Sequence, residues 1–424
     1  MEPKVVVDGA RVFLGDCRQV LKTLPDNSVN SVVTDPPYEL GFMGKKWDSS
    51  GIAYDVTVWA ECLRVLKPGG HVLAFGGSRT WHRLAVAIED AGFELRDSIA
   101  WIYGQGFPKS MDVSKAIDKR AGVEREVIGQ GKSGKTAIWN EAGEMGNFDL
   151  TAPATSEAQK WQGWGTALKP AFEPVVVGRK PLVGTVAENV LAWGVGGLNI
   201  DGSRIGSEIR TDTVTENGFG SNFMDDNWKP SGKSYEKTVQ GRWPANVILD
   251  EVTAGLLDEQ TGVLKSGAVD QSKITAENRI YGALPKNRSR VFEASEGGAS
   301  RFFYQAKASK RDRNEGLEDL EQKAAGSLNM RTDGHSVRNG RNTGARSNHH
   351  PTVKPTALMR YLIKLVTPPG GTVLDPFTGS GSTGKAALLD GFEFVGAELT
   401  EDYLPIIEGR LKWAVENREE ESLF

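Results

Sequence analysis

The sequence predicts a doubly wound α/β fold: a mainly parallel sheet with helices on both faces, interrupted by a long irregular insertion. Three observations carry this expectation. Residues 11–103 alternate short β-branched runs with segments of helical period, as strands joined by crossover helices do. Residues 356–416 resume the same alternation. Between them, residues 185–345 show no sustained alternation, and 424 residues give room for one large α/β domain with substantial insertions.

Residues 11–16 read as a strand ending in Gly15-Asp16, followed by a short helix with Val20, Leu21 and Leu24 on one face. Val29–Thr34 reads as a buried strand. Asp35-Pro36-Pro37-Tyr38 ends it, because neither proline can donate a ladder hydrogen bond. Two fixed φ angles then hold the Asp35 carboxylate, the Pro36 carbonyl and the Tyr38 ring in nearly constant relation. Two acceptors beside one aromatic face suit a planar ligand bearing an amino group. Residues 41–48 mix Gly, Lys and Trp with neither period and read as a mobile loop beside this tetrapeptide. Residues 54–66 read as a helix stopped by Lys67-Pro68-Gly69-Gly70, 71–75 as a strand, 81–91 as a helix and 98–103 as a strand. An irregular region containing Phe107-Pro108-Lys109-Ser110 follows. Residues 120–168 read as a surface excursion, and 174–179 as a strand returning to the sheet.

The C-terminal part opens with His350-Pro351-Thr352-Val353-Lys354-Pro355 before the helix Thr356–Val366. A strand then leads into Asp375-Pro376-Phe377-Thr378-Gly379-Ser380-Gly381, and a further strand ends at Glu398. Gly379, Gly384 and Lys385 match a phosphate-binding loop, but Ala386 stands where its metal-binding hydroxyl belongs, which argues against a nucleotide hydrolase. A nucleoside-binding turn fits better: glycines let a ligand approach the backbone, and Glu398, 23 residues after Asp375, is placed to take ribose hydroxyls.

Composition narrows the class. No apolar run approaches the roughly 20 residues that span a bilayer, and the first sixteen residues lack a basic-then-apolar leader. Two cysteines give neither a disulfide framework nor a zinc site, and the adjacent His349 and His350 lack ligand partners, so no metal is expected. A cytoplasmic protein is expected. Net charge is −4, but residues 273–346 hold fifteen Lys and Arg against nine Asp and Glu. A basic stretch on an acidic body is a footprint for a phosphate backbone. Arg331, Arg338, Arg341 and Arg346 belong to it, and Trp193, Trp228, Trp243, Phe302, Phe303 and Tyr304 interleave residues 185–345.

Together the two motifs resemble the S-adenosylmethionine-dependent DNA amino-methyltransferases. Asp35-Pro36-Pro37-Tyr38 looks like their catalytic motif and Asp375-Pro376-Phe377-Thr378-Gly379-Ser380-Gly381 like their cofactor motif. Catalytic motif first and cofactor motif last is similar to the beta class. The resemblance covers about half the chain and implies a Rossmann-like methyltransferase sheet, mixed in strand direction. It implies Asp35, Pro36, Pro37 and Tyr38 as the catalytic set. Phe377, Gly379 and Gly381 would line the methionine part of S-adenosylmethionine, with Asp375, Pro376 and Ser380 in the same turn. Glu398 would hold the ribose. Asp16 would accept from the adenine amino group or cap the following helix, and Thr352 and Lys354 would reach the methionine carboxylate. The resemblance implies double-stranded DNA as partner, a homodimer, and adenine-N6 methylation of a flipped base. Cytosine-N4 methylation is the alternative; an inactive DNA-binding protein, or transfer to RNA or a protein amide, are further ones. The implied organisation is a catalytic half (1–118), a surface insertion (119–168), a returning strand (169–184), a target-recognition region (185–347) and a cofactor half (348–424).

Overall fold

A computed structural model describes residues 1–41, 46–104, 106, 110–132, 147–215, 234–267, 269–270, 277–278, 282–283, 291–292, 295–307, 310–321 and 347–418. Phe42 to Lys45, Phe107 to Lys109, Trp228 and the arginines at 331, 338, 341 and 346 lie outside them, as does most of the basic stretch.

Ten strands form one sheet: β1 (Val5–Val7), β2 (Ala10–Leu14), β3 (Val29–Thr34), β4 (Leu66–Phe75), β5 (Glu94–Ile102), β6 (Phe172–Arg179), β7 (Val247–Asp250), β8 (Tyr304–Ala306), β9 (Thr372–Asp375) and β10 (Glu393–Glu398). Their order is β1-β2-β10-β9-β3-β4-β6-β5-β7-β8. Pairing is parallel except at β1, which runs against β2, and at β6, which runs against both β4 and β5. The sheet is therefore mixed.

Alternation along the strands sends side chains to two cores. Val33 and Leu73 pack on one side with helices α7 (Thr356–Val366), α8 (Ser382–Leu389) and α9 (Leu404–Glu416). Val32 and Val72 pack on the other with α1 (Cys17–Lys22), α2 (Val56–Val65) and α3 (Trp81–Asp90). Both faces are covered, as buried parallel strands require.

Chain direction across the sheet reverses between β9 and β3. From β9 the chain crosses to β10 on one side; from β3 it crosses to β4 on the other. In open α/β sheets a ligand crevice forms outside the carboxyl ends at such a switch point.

A helix α4 (Val113–Ala121) follows β5. One expectation needs correction. Residues 185–345 do contain sheet: β7 and β8 extend it in parallel, with α6 (Glu251–Thr261) between them and α5 (Val186–Trp193) earlier. Four- and three-residue strands are too short to show a period, and Gly255 and two threonines break the apolar spacing of α6. The centre of the loop expected after Tyr38, residues 42–45, lies outside the described residues. The buried Asp48 carboxylate accepts from the Glu39 and Leu40 amides at 3.0 and 3.3 Å, and Gly41 N donates to the Asp48 carbonyl.

Candidate active site

The carboxyl ends of β2, β3, β9 and β10 open onto one cleft of about 1740 Å³. Asp16, Asp35, Pro36, Pro37, Tyr38, Thr352, Lys354, Asp375, Pro376, Phe377, Gly379, Ser380 and Glu398 all line it. Gly381 is not among the lining residues; at φ +75° it turns the chain into α8. Residues 340 positions apart thus share one sheet edge.

On the β3 side Tyr38 is held at both ends. Its carbonyl accepts from the Thr80 hydroxyl at 2.9 Å, and its phenol donates to Glu173 Oε2 at 2.8 Å. Lys354 Nζ donates to the phenol oxygen at 3.1 Å and to Asp35 Oδ2 at 2.6 Å, and lies 3.4 Å from Glu173. Burying an ammonium is costly unless it is paired. Burial works to lower the Lys354 pKa, but Asp35 and Glu173 hold it above its ordinary value. Burial, with the same two carboxylates, pushes the Tyr38 phenol well up, so it keeps its proton as a donor. Asp35 Oδ1 is the exception. It is buried and has no hydrogen-bond partner among the described residues. Buried acceptors are normally satisfied, so an open one in a cleft marks a ligand position.

On the β9 side the bonding is nearly closed. Asp375 Oδ1 accepts from the Thr34 hydroxyl at 2.6 Å and the Phe377 amide at 3.0 Å; Oδ2 accepts from the Thr383 hydroxyl at 2.6 Å. Burial pushes its pKa up to about 6. This carboxylate fastens β3, β9 and α8 together. Glu398 accepts from Gly379 N and Thr400 N, each at 2.7 Å, and burial pushes it up to about 7. Gly379 sits at φ +54°, and an added Cβ there would lie 3.0 Å from His350 Nε2. The Ser380 hydroxyl is taken by the buried Arg410 at 3.1 Å. Asp16 caps α1 through the Arg18 amide and is held below the usual carboxylate range chiefly by the Arg18 side chain. The cap is thus present, and the carboxylate also lines the cleft.

Lys354, expected at the cofactor carboxylate, lines the cleft and joins Asp35, Glu173 and Tyr38. Lys385 of the phosphate-loop pattern is fully buried against Asp312 and Glu315 at 2.9 and 2.8 Å, away from the cleft. Glu173 was not singled out from sequence. It starts β6, the reversed strand, so the strand's beginning meets the carboxyl ends of its neighbours. An acidic residue entering a strand that returns to the sheet is the signal that could have found it.

A doubly wound sheet with an open carboxylate and a glycine turn at its switch point defines a nucleoside-cofactor transferase class of site. The chain belongs to the DNA methylase family of N6 and N4 methyltransferases, whose model matches residues 29–409. It is 28% identical to the type II methyltransferase M.HindIII of Haemophilus influenzae over 148 residues, 34% of this chain and 38% of that one. It is 45% identical to the DNA adenine methyltransferase YhdJ of Escherichia coli over 56 residues, 13% of this chain and 19% of that one. The matched segments thus span well under half of these relatives. Among solved structures, the cytosine-N4-specific PvuII DNA methyltransferase aligns with a TM-score of 0.42 at 13% identity, covering 96% of this chain and 88% of that one. The complex of M1.HpyAVI with its cofactor aligns at 0.37 and 14%, covering 95% and 98%.

S-adenosylmethionine is the family's cofactor, and the residues here fit it. Glu398 would offer carboxylate oxygens to a ribose and Phe377 an apolar wall, and a Cβ at Gly379 would crowd His350 on the same cleft.

Proposed function

We propose that this protein methylates the N6 amine of adenine in duplex DNA at specific sequences. The observation that carries the proposal is the open Oδ1 of Asp35 beside the anchored Tyr38 ring. An exocyclic amine has its lone pair delocalised into the base ring and is a poor nucleophile. Asp35 Oδ1 and the Pro36 carbonyl accept its two N–H bonds, which favours a pyramidal nitrogen with its lone pair free. Preorganised acceptors of this kind are worth on the order of 3 kcal/mol each. The Tyr38 ring stacks on the base, worth ~1–3 kcal/mol. Lys354 holds Asp35 Oδ2, so the carboxylate presents one oxygen in one orientation. When bound, S-adenosylmethionine supplies an electrophilic methyl group. The nitrogen would gain a bond to the methyl carbon as the carbon–sulfur bond breaks and leaves its electron pair on sulfur, and the nitrogen's surplus proton would leave through Asp35 Oδ1.

The base must leave the duplex to reach a cleft this deep. Residues 185–347, whose stretch from 273 to 346 is basic, are assigned to reading the DNA sequence. Asp at position 35 favours adenine, since related cytosine-N4 enzymes more often carry serine there. Sequencing DNA exposed to the protein, with modified bases identified directly, tests the reading. N6-methyladenine at a defined sequence is the expected result. N4-methylcytosine would move the assignment to the other amine, and unmodified DNA would reject it.

A further inference from the structure

The segment 161–171 forms one rim of the cleft, with Thr166, Ala167, Leu168, Lys169, Pro170 and Ala171 among its lining. Its backbone is tied to the body. Ser110 Oγ accepts from Thr166 N at 2.9 Å and Ala167 N at 3.3 Å, and Met111 N donates to the Thr166 hydroxyl at 2.9 Å. Lys169 Nζ donates to the Gly104 carbonyl at 2.7 Å, and Tyr103 N donates to the Ala171 carbonyl at 2.9 Å. A loop fastened at this many points holds its backbone in place. It nevertheless presents Leu168 at 92% exposure, on the cleft that contains Asp35 and Tyr38. Behind it Trp161 and Trp164 meet edge to face at 4.9 Å and are themselves 44% and 60% exposed.

Single exposed leucines are ordinary on protein surfaces. Here the informative features are the position and the tethering. We propose that Leu168 is a wedge that enters the base stack of duplex DNA as the target base leaves it. This rests on the DNA reading above. Extruding a base leaves its two stacked neighbours with uncovered faces and its pairing partner without hydrogen bonds. An apolar side chain of leucine size, held on a fixed loop, covers those faces and hinders return of the base. Leu40, two residues after Tyr38, and Leu399, next to Glu398, also line the cleft, but within the walls that hold base and cofactor. Leu168 stands on the separate rim. Lys169 beside it puts a positive charge where the strand backbone passes.

The test uses two duplexes carrying the methylated sequence, one fully paired and one with an abasic residue opposite the target base. Single-turnover transfer of labelled methyl is measured on both. Leu168→Gly is expected to act about 10-fold more slowly than wild type on the paired duplex, where the wedge must help break the pair. On the abasic duplex, where no pair is broken, it is expected to act within roughly 2-fold of wild type. Leu168→Met restores the paired rate, and an unchanged melting temperature shows the fold is intact. Equal rates for Leu168→Gly and wild type on the paired duplex overturn the wedge, as does an equal loss on both duplexes. Transfer to neither duplex by wild type instead overturns the DNA reading on which the wedge depends.

Discussion

Asp35 and Asp375 begin the same dipeptide, Asp-Pro, at the ends of neighbouring parallel strands. Their surroundings differ in one respect that decides their roles. Asp375 accepts three hydrogen bonds from its own chain and has become a fastener between β3, β9 and α8. Asp35 has one oxygen on Lys354 and the other facing the cleft with no partner among the described residues. The same dipeptide therefore yields a carboxylate closed by its own chain on one strand and one with an open oxygen on the next. The two buried lysines divide in the same way: Lys385 pins a helix, while Lys354 orients an acceptor.

The sharpest way to break this comparison is to remove each carboxylate in turn. Asp35→Ala is expected to slow methyl transfer about 10³-fold, as loss of a preorganised acceptor does, with cofactor affinity measured by calorimetry unchanged. Asp375→Ala leaves the Thr34 and Thr383 hydroxyls and the Phe377 amide without their acceptor. It is expected to lower unfolding stability in urea by about 3 kcal/mol. If the two variants behave alike in both assays, the division of roles is wrong.

A finer distinction concerns how the Asp35 side is held. Tyr38→Phe removes only the hydroxyl that joins Glu173 and Lys354. It and Glu173→Gln are each expected to lower kcat about 10-fold, with the double variant little worse than either, because they break one network. Independent, multiplying losses would show that Glu173 does not act through Tyr38.

The smallest effect lies at Glu398. Burial raises its pKa from the ordinary 4.5 to about 7. A carboxylate raised on folding holds its proton more tightly in the native state. Its contribution to stability is therefore full below about 4.5 and is lost as pH rises through about 7. Glu398→Gln escapes that loss. Relative to wild type it is expected to gain on the order of 1 kcal/mol between pH 5 and pH 8, read from urea unfolding at the two values. A pH-independent difference would contradict the burial argument.

The strands and helices around both Asp-Pro motifs were legible in sequence because prolines and glycines mark where each strand stops. Adjacent Val32 and Val33 point to opposite cores, as in a strand buried on both faces. The cleft's membership was legible through the two motifs and Glu398. Partners that come from elsewhere in the chain were not. Glu173 reaches Tyr38 only because β6 is reversed, and no local pattern tells a reversed strand from a parallel one. Lys354 could be read as near the cofactor, but its bond to Asp35 joins positions 319 apart, which no local pattern reports. The bonds of Asp375 to Thr34 and Thr383 were not legible, since those partners lie 341 and 8 positions away. Strands β7 and β8 were hidden by their shortness.

The central claim is that Asp35 Oδ1 is the acceptor for the target amine. The isosteric variant Asp35→Asn tests it most directly, with single-turnover methyl transfer to duplex DNA measured beside cofactor affinity and melting temperature. An affinity and a melting temperature close to wild type, with transfer slower by about 10²- to 10³-fold, is the predicted result. Transfer within tenfold of wild type by a folded, cofactor-binding Asp35→Asn protein would contradict it.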